Sequence, residues 1–168
     1  MCATGGGPDS VTIDGGEGGT GAAPLSFSDH VSLPFQGRLR AGLLRVRAPP
    51  ASPARTVFIG SGRLGFPDSS LFAFALGCDM ISVGRERAMM AIGCIQAQRC
   101  HTGRCPTGVA TQNKWLMRGL DPDINSHRAA NYLLALRSEI LALSRSCGVP
   151  HPALVTADHI RSSPSASA

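Results

Sequence analysis

The order of short strands, glycine loops and helices is the feature that most restricts the fold of this 168-residue chain. Three β-branched or apolar runs, at residues 11–14, 56–60 and 80–83, each lead into a loop that contains glycine. Helical segments follow the second and third runs, over residues 71–76 and 85–92. This alternation is typical of a parallel α/β fold. We expect three parallel strands that are adjacent in chain order, because consecutive strand–helix units pair through right-handed crossovers.

The longest helical pattern covers residues 125–147. Its apolar side chains recur at helical spacing and predict one buried face, formed by Leu133, Leu136, Ile140 and Leu143. Ser126 is a candidate cap at the start, and Gly148 is a candidate stop. The shorter helix near residue 71 has two candidate caps, Asp68 and Ser69.

The loops after the second and third strands are candidate phosphate sites. At the carboxyl ends of parallel strands, freed backbone N–H groups and helix N-termini bind anions. These loops contain Gly60, Ser61, Gly62, Arg63, Gly84 and Arg85. Either Arg63 or Arg85 could also bind phosphate oxygens through its guanidinium group. Tight turns alone would explain one such loop, but two in consecutive units favour a phosphate site. The earlier glycine cluster, residues 15–21, would let the backbone approach a flat ring or a substrate closely.

Three cysteines form a C-x5-C-x4-C-P pattern: Cys94, Cys100 and Cys105. Thiolates are soft ligands that select soft metals and iron–sulfur clusters. The spacing is too open for the paired C-x-x-C knuckles of structural zinc sites, whereas a Cys-Pro ending occurs in ferredoxin loops. Three thiolates favour a three-iron cluster, with a zinc site or unliganded thiols as the alternatives.

The remaining cysteines, Cys2, Cys78 and Cys147, share no pattern. Six cysteines would suit disulfides in a small secreted domain, but the sequence does not open with a secretory signal pattern. We therefore expect a reducing, cytoplasmic location, in which clustered cysteines more often serve metal or redox chemistry. Cys78 is expected to be buried as a small hydrophobic residue.

The formal net charge of +5 comes from one segment. Residues 36–56 contain five arginines and no acidic residue, and the rest of the chain is neutral overall. The segment has no aromatic side chain on which bases could stack, so a nucleic acid is not an expected partner. No apolar run approaches the roughly 20 residues that span a bilayer, so a membrane is not expected either.

Two longer motifs carry a resemblance to a known family. They are D-G-G-x-G-G-T-G-A-x-P at residues 14–24 and C-x5-C-x4-C-P-x-G-x-A-T-Q at residues 94–112. Together with the loops near residues 60 and 84, they resemble the FMN-binding domain of glutamate synthase. The closest resemblance is to the shorter FMN-binding members that lack the glutaminase domain. It covers residues 9–35 and 56–160.

The resemblance implies a (β/α)8 barrel with FMN and a 3Fe–4S cluster. It implies that electrons enter from ferredoxin or from an NAD(P)H-oxidising partner and reduce the flavin. The reduced flavin then delivers hydride to 2-iminoglutarate, formed from 2-oxoglutarate and ammonia, and yields L-glutamate.

The resemblance also implies roles for individual residues. The cluster ligands would be Cys94, Cys100 and Cys105. The FMN phosphate loops would include Gly60, Ser61, Gly62, Gly84 and Arg85. The flavin and the substrate would meet at Gly15, Gly16, Glu17, Gly18, Gly19 and Thr20. Glu17 could orient the substrate there, and the alternative is a solvated loop carboxylate.

The sequence departs from the family in two ways. A (β/α)8 barrel needs about 250 residues, so we expect the carboxyl-terminal portion of such a barrel, incomplete, with a C-terminal helical extension. Residues 36–55 do not resemble the family, which indicates a compensated frameshift or a divergent insertion.

The expected division of the chain is a strand with its glycine loop, the divergent segment, two strand–helix units with the cysteine loop, and the helical extension. These parts cover residues 1–35, 36–55, 56–105 and 106–168. An inactive fragment, another FMN-barrel oxidoreductase such as a 2-hydroxy-acid oxidase, and a small zinc-binding or nucleic-acid-binding module are the alternative functions.

Overall fold

A computed structural model of the chain describes residues 8–16, 26, 31, 34–35, 56–84 and 87–159. Several of the predictions fall outside these residues, namely those for Glu17, Gly18, Gly19, Thr20, Arg85 and the segment 36–55. None of the helices in the described ranges combines the length and the apolar character that are needed to cross a membrane.

Three parallel strands form the predicted sheet. They are β1 (Ser10–Asp14), β2 (Val57–Ser61) and β3 (Met80–Ser82), with β2 in the middle. Asp14 is level with Ser61, and Ser61 is level with Ser82, so the three strands end at one edge. The predicted order and direction are therefore confirmed. The described strands form a small parallel β-sheet in an α/β arrangement. The continuation of this sheet into a barrel stays a prediction.

Along the chain, helices precede and follow β3. Three α-helices lie in the ranges 56–84 and 87–159, namely α1 (Pro67–Ala75), α2 (Ala88–Ala91) and α3 (Pro122–Ser146). Short 3-10 helices cover Cys100–Thr102, Leu116–Gly119 and Pro152–Leu154. The long helix α3 packs on α1 and α2.

The start of α1 corrects a sequence prediction. The helix begins at Pro67 after Phe66, and no side chain caps its first turn. Asp68 and Ser69 are therefore not the caps. Proline is favoured at the first helical position because its fixed φ suits the helix and its missing N–H needs no partner.

The start of α3 follows the same rule. Pro122 is its first residue, and the cap is Asp121 rather than the predicted Ser126. Asp121 Oδ1 accepts hydrogen bonds from the backbone N–H groups of Asp123 (3.0 Å) and Ile124 (3.3 Å). These bonds satisfy two of the N–H groups that the first turn leaves without helical partners.

Gly148 ends α3 as predicted. Its φ of 81° is left-handed. The Gly148 N–H donates to the Arg145 carbonyl (2.9 Å), and the Val149 N–H donates to the Ser144 carbonyl (3.1 Å). This pair of bonds is a Schellman motif, in which glycine takes the left-handed position without steric cost.

One hydrophobic core lies between the sheet and α1. It consists of Phe35, Phe58, Leu64, Ala73 and Cys78. Cys78 is only 6% exposed, which confirms the prediction that it is a buried small side chain.

A second core joins α1 to α3. It consists of Leu71, Ala75, Leu136, Ile140 and Val155. The predicted apolar face of α3 is wrong at Leu133, which is 53% exposed, whereas Tyr132 packs against the core. The face that meets α1 also includes the fully buried Ser144, whose hydroxyl donates to the Ile140 carbonyl (2.8 Å). A serine satisfied in this way can occupy a core position.

Candidate functional site

The carboxyl ends of the strands bring three loops to one edge of the sheet. After β1, the Gly15 N–H donates to the Ser61 carbonyl (2.7 Å) and so continues the ladder by one residue. After β2 the chain turns at Gly62, and after β3 it passes through Val83 to Gly84. The three strands therefore end at a common edge of the sheet.

Packing accounts for the glycines at positions 15 and 60. A Cβ atom on Gly60, which lies inside β2, would be 2.8 Å from Phe35 Cζ and 2.9 Å from Cys78 Sγ. A Cβ atom on Gly15 would be 2.8 Å from both the Cβ and the backbone N of Phe35. Phe35 therefore packs closely against Gly15, and a close-packed interior leaves no room there for an added atom. The expected approach of a flat ring or a substrate to residues 15–21 stays a prediction.

The loop after β2 has an unusual backbone that α1 holds in place. Gly62 has φ 138° and Arg63 has φ 49°, a left-handed conformation that few residues other than glycine adopt. The Ser69 hydroxyl donates to the Arg63 carbonyl (3.1 Å). The buried Ser70 hydroxyl donates to the Leu64 carbonyl (2.7 Å). Both serines lie in the first turn of α1, so the helix fixes the shape of the loop.

The loop after β3 lies beside the loop after β2. The Arg87 guanidinium carbon is 4.0 Å from the centre of the Phe66 ring, a cation–π contact that joins the two loops. Apart from the chain neighbours of Gly84, no atom of the described residues lies within 4 Å of a Cβ atom built at this position. The described part of the chain therefore leaves space beside Gly84 in the loop that was predicted to bind phosphate.

Tyr132 of α3 supports the same edge, and the sequence predictions did not include it. Its hydroxyl donates to the Gly65 carbonyl (2.9 Å) across 67 positions of the chain. A Cβ atom on Gly65 would be 3.2 Å from this hydroxyl and 3.2 Å from Arg87 Cβ. The signal that could have found it is that the only tyrosine of the chain lies next to the predicted apolar face of α3.

The three cysteines of the C-x5-C-x4-C-P pattern lie in different local settings. Cys94 follows α2, and its sulfur accepts a hydrogen bond from the Gln96 N–H (3.4 Å). Cys100 begins a 3-10 helix and, like Cys94, is half-buried. Cys105 is buried, and its sulfur is 3.4 Å from the Thr107 hydroxyl.

Hydrogen bonds stabilise the thiolate of Cys105. Burial acts to raise the pKa of this thiol, but the bonds to its sulfur outweigh burial and lower the pKa to about 7. The donors are the Thr107 hydroxyl and the backbone N–H groups of Ala110, Thr107 and Val109. Hydrogen bonding to the charged form favours that form, and the thiolate is the form that binds metals.

Comparison with known proteins identifies the family. A family model described as a conserved region in glutamate synthase matches residues 1–150. The chain belongs to the glutamate synthase family.

Three glutamate synthase relatives show how much of a longer protein this chain matches. The glutamate synthase large subunit-like protein YerD of Bacillus subtilis is 36% identical over 153 residues, which are 91% of this chain and 29% of that protein. The archaeal glutamate synthase (NADPH) of Methanocaldococcus jannaschii is 39% identical over 141 residues, 84% of this chain and 27% of that protein. The ferredoxin-dependent glutamate synthase of Antithamnion sp. is 32% identical over 146 residues, 85% of this chain and 9% of that protein. The chain thus spans less than a third of the length of these relatives.

The two cofactors implied by the glutamate synthase family fit the described residues to different degrees. The adjoining loops at Gly62 and Gly84 are compatible with a phosphate group, since α1 holds the loop after β2 and no described residue fills the space beside Gly84. A cluster fits less well. Within the described part of the chain, which includes all three predicted ligands, no three His, Cys, Asp or Glu side chains are grouped so that they could hold a metal ion. Local donors engage the sulfurs of Cys94 and Cys105, and the ligand set of Cys94, Cys100 and Cys105 stays a prediction.

Proposed function

We propose that the chain is the carboxyl-terminal part of the barrel of a glutamate synthase-type oxidoreductase that depends on FMN. The proposed reaction converts 2-oxoglutarate and ammonia, through 2-iminoglutarate, to L-glutamate. The observation that carries this proposal is the contact between the Gly62 and Gly84 loops at the carboxyl edge of a parallel sheet. In (β/α)8 barrels the loops after the last two strands usually bind phosphate.

The proposed phosphate site takes backbone N–H groups from both loops. Ser61, Gly62 and Arg63 would contribute from the loop after β2, and Gly84 and Arg85 from the loop after β3. A guanidinium group from Arg63 or Arg85 would add charge-assisted hydrogen bonds to the phosphate oxygens. Bound FMN would supply hydride transfer to 2-iminoglutarate.

The glycine loop after β1 is proposed to face the substrate. Its members Gly15 and Gly16 lie at the carboxyl edge of the sheet. Glu17 is proposed to orient the substrate, and this role is a hypothesis about a residue outside the described ranges.

The proposed electron donor is a separate redox protein. Of the three relatives described above, one is named for NADPH and one for ferredoxin, which supports ferredoxin or an NAD(P)H-oxidising protein as the partner. The iron–sulfur cluster implied by the resemblance stays a prediction for Cys94, Cys100 and Cys105, and no step of the proposed reaction is assigned to it. The cytoplasmic location is likewise a prediction.

Phosphorus NMR of FMN tests the proposed phosphate site. Gly84→Leu fills the open space beside the loop, and we expect FMN binding to weaken by about tenfold or more, as the loss of one to two charge-assisted hydrogen bonds would. Ser10→Leu is the matched control, because Ser10 is exposed at the amino end of β1 on the opposite edge. FMN affinity should stay within about twofold there.

The comparison requires that both variants keep the far-ultraviolet circular dichroism of the starting protein. FMN that binds equally well to the protein with Gly84→Leu would contradict the proposed site. FMN whose phosphorus signal does not change with any form of the protein would contradict the proposed cofactor.

A further inference from the structure

Polar groups of α1 hold the loop after β2 by its backbone carbonyls. The Ser69 hydroxyl lies 3.1 Å from the carbonyl oxygens of Arg63 and Phe66 and donates to them. The Ser70 hydroxyl donates to the Leu64 carbonyl (2.7 Å), and the Ser70 N–H donates to the Phe66 carbonyl (2.9 Å). The first turn of α1 thus holds three carbonyls of this loop, those of Arg63, Leu64 and Phe66.

The carbonyl of Gly65, which lies between them, is held by a residue from a distant part of the chain. The Tyr132 hydroxyl of α3 donates to it (2.9 Å). A Cβ atom on Gly65 would be 3.2 Å from this hydroxyl and 3.2 Å from Arg87 Cβ, so the contact leaves no room for a side chain there. Through Tyr132, the helical extension therefore completes the set of groups that fix the loop after β2.

The N–H groups of the same peptide units point the other way. In a planar trans peptide a carbonyl and the N–H of the next residue have opposite directions, so the N–H groups of Leu64, Gly65 and Phe66 point away from the hydroxyls. Within the described part of the chain, none of these three N–H groups has a hydrogen-bond acceptor. Leu64 and Gly65 are buried, and buried N–H groups are nearly always paired. Successive N–H groups in a turn form a concave site for an anion, which would supply the acceptor.

We propose that Tyr132 is a positioning residue for the phosphate group of FMN. Its hydroxyl, together with those of Ser69 and Ser70, fixes the carbonyls of the loop and so holds the N–H groups in the orientation that binds phosphate. A loop fixed before binding loses less conformational freedom when the phosphate arrives, and so binds it more tightly. This role rests on the proposed function and adds a selectivity to it, because riboflavin differs from FMN only in lacking the phosphate group.

A purely structural role for the Tyr132 hydroxyl predicts a different result. A hydrogen bond that served only to join α3 to the rest of the protein would affect all ligands through stability, with no regard to phosphate. The hydroxyl of Ser144 provides the comparison, since it is fully buried on the same helix and donates to the Ile140 carbonyl within α3 (2.8 Å). Ser144→Ala is therefore the matched control for the loss of a hydroxyl from α3.

Titrations of the purified chain with FMN and with riboflavin, followed through the amide signals in heteronuclear NMR spectra, test the role of Tyr132. Tyr132→Phe is expected to weaken FMN binding by about threefold or more, as the loss of one neutral hydrogen bond would. Riboflavin has no phosphate group to lose, and its affinity should change by less than about twofold. Ser69→Ala should reduce the preference for FMN in the same way, and Ser69→Thr, which keeps a hydroxyl, should retain it. Ser144→Ala should leave the preference unchanged.

Inorganic phosphate separates a failure of this role from a failure of the proposed function. Phosphate should shift the amide signals of residues 62–66, and the shift at a given concentration should be smaller in Tyr132→Phe. If phosphate does so but FMN does not bind, the proposed cofactor is overturned and the role of Tyr132 is supported. If the starting protein prefers FMN to riboflavin and a folded Tyr132→Phe variant keeps that preference, the role of Tyr132 alone is overturned. A starting protein that binds neither phosphate nor FMN overturns both.

Discussion

Gly60 and Gly84 occupy similar places in the sequence, but their surroundings in the structure differ. Each lies at a strand-to-loop junction of the predicted α/β pattern. A Cβ atom on Gly60 would meet Phe35, Cys78 and Leu64 in the core, whereas a Cβ atom on Gly84 would meet none of the described residues outside its chain neighbours. A glycine required by packing and a glycine suited to a ligand therefore cannot be separated by their sequence contexts.

Alanine substitutions at Gly60 and at Gly84 should change the free energy of unfolding by different amounts. Gly60→Ala is expected to lower the free energy of unfolding by about 1–3 kcal/mol, because the added methyl group would overpack the core. Gly84→Ala, the matched control, should change it by less than about 0.5 kcal/mol. Urea unfolding measures both. Equal stabilities would show that Phe35 and its neighbours yield without cost and that the packing argument is wrong.

The thiol of Cys78 is expected to be inert in the folded protein. Burial, reinforced by the charge of Asp79, raises its pKa from 9.0 to about 11. Iodoacetamide at neutral pH should leave Cys78 unmodified until urea is added, because the reactive form is the thiolate. Mass spectrometry of the labelled peptides reads this out, and equal labelling with and without urea would contradict it.

The same pKa shift makes stability depend on pH. Folding stabilises the neutral thiol of Cys78, so its contribution is fully present below pH 9.0 and is lost as the pH rises from 9.0 towards about 11. Cys78→Ala should flatten the fall in the free energy of unfolding over this interval.

At the scale of elements, the sequence predicted that the long helix α3 exists, but it did not predict all of the helix's boundaries and contacts. The sequence predicted the helical period of α3 and its end at Gly148, but not its first residue or its buried face. The helix begins at Pro122, and Tyr132 rather than Leu133 lies against the core. In the sequence of an amphipathic helix, two neighbouring faces can be equally apolar. Which of them is buried depends on the element that packs against the helix.

The cap of α3 gives a direct test. Asp121→Ala is expected to lower the free energy of unfolding by about 1 kcal/mol, because two backbone N–H groups lose their acceptor. Ser126→Ala should have little effect, since that hydroxyl donates only to the exposed Asp123 carbonyl. Thermal or urea unfolding followed by circular dichroism measures both. A larger loss at Ser126 than at Asp121 would contradict the assignment of the cap.

At the scale of the whole molecule, the described sheet is a small part of what a barrel requires. Three parallel strands leave β1 and β3 as the edges of the described sheet. The chain covers 29% of the Bacillus subtilis relative and 27% of the Methanocaldococcus jannaschii relative. We therefore expect this chain to hold FMN mainly through the phosphate, at the Gly62 and Gly84 loops.

The isolated chain is accordingly expected to bind FMN weakly and not to turn over. A few charge-assisted hydrogen bonds of roughly 1.5–3 kcal/mol each are partly offset by the ordering of the loops. Purified chain that retains stoichiometric FMN, and forms glutamate from 2-oxoglutarate and ammonia with a reduced donor, would contradict this prediction. Adding the amino-terminal strands of a relative as a separate polypeptide should restore FMN binding.

The sequence by itself determined the family, the parallel order of β1, β2 and β3, the burial of Cys78 and the stop of α3 at Gly148. These features depend on motifs, local periodicity and the order of elements along the chain. The tertiary structure decided that Phe35 presses on Gly15, that Tyr132 bonds to Gly65, and that Arg87 joins the two loops. Such contacts depend on packing between residues far apart in the chain, and local sequence patterns carry no record of which distant side chain will fill a given space.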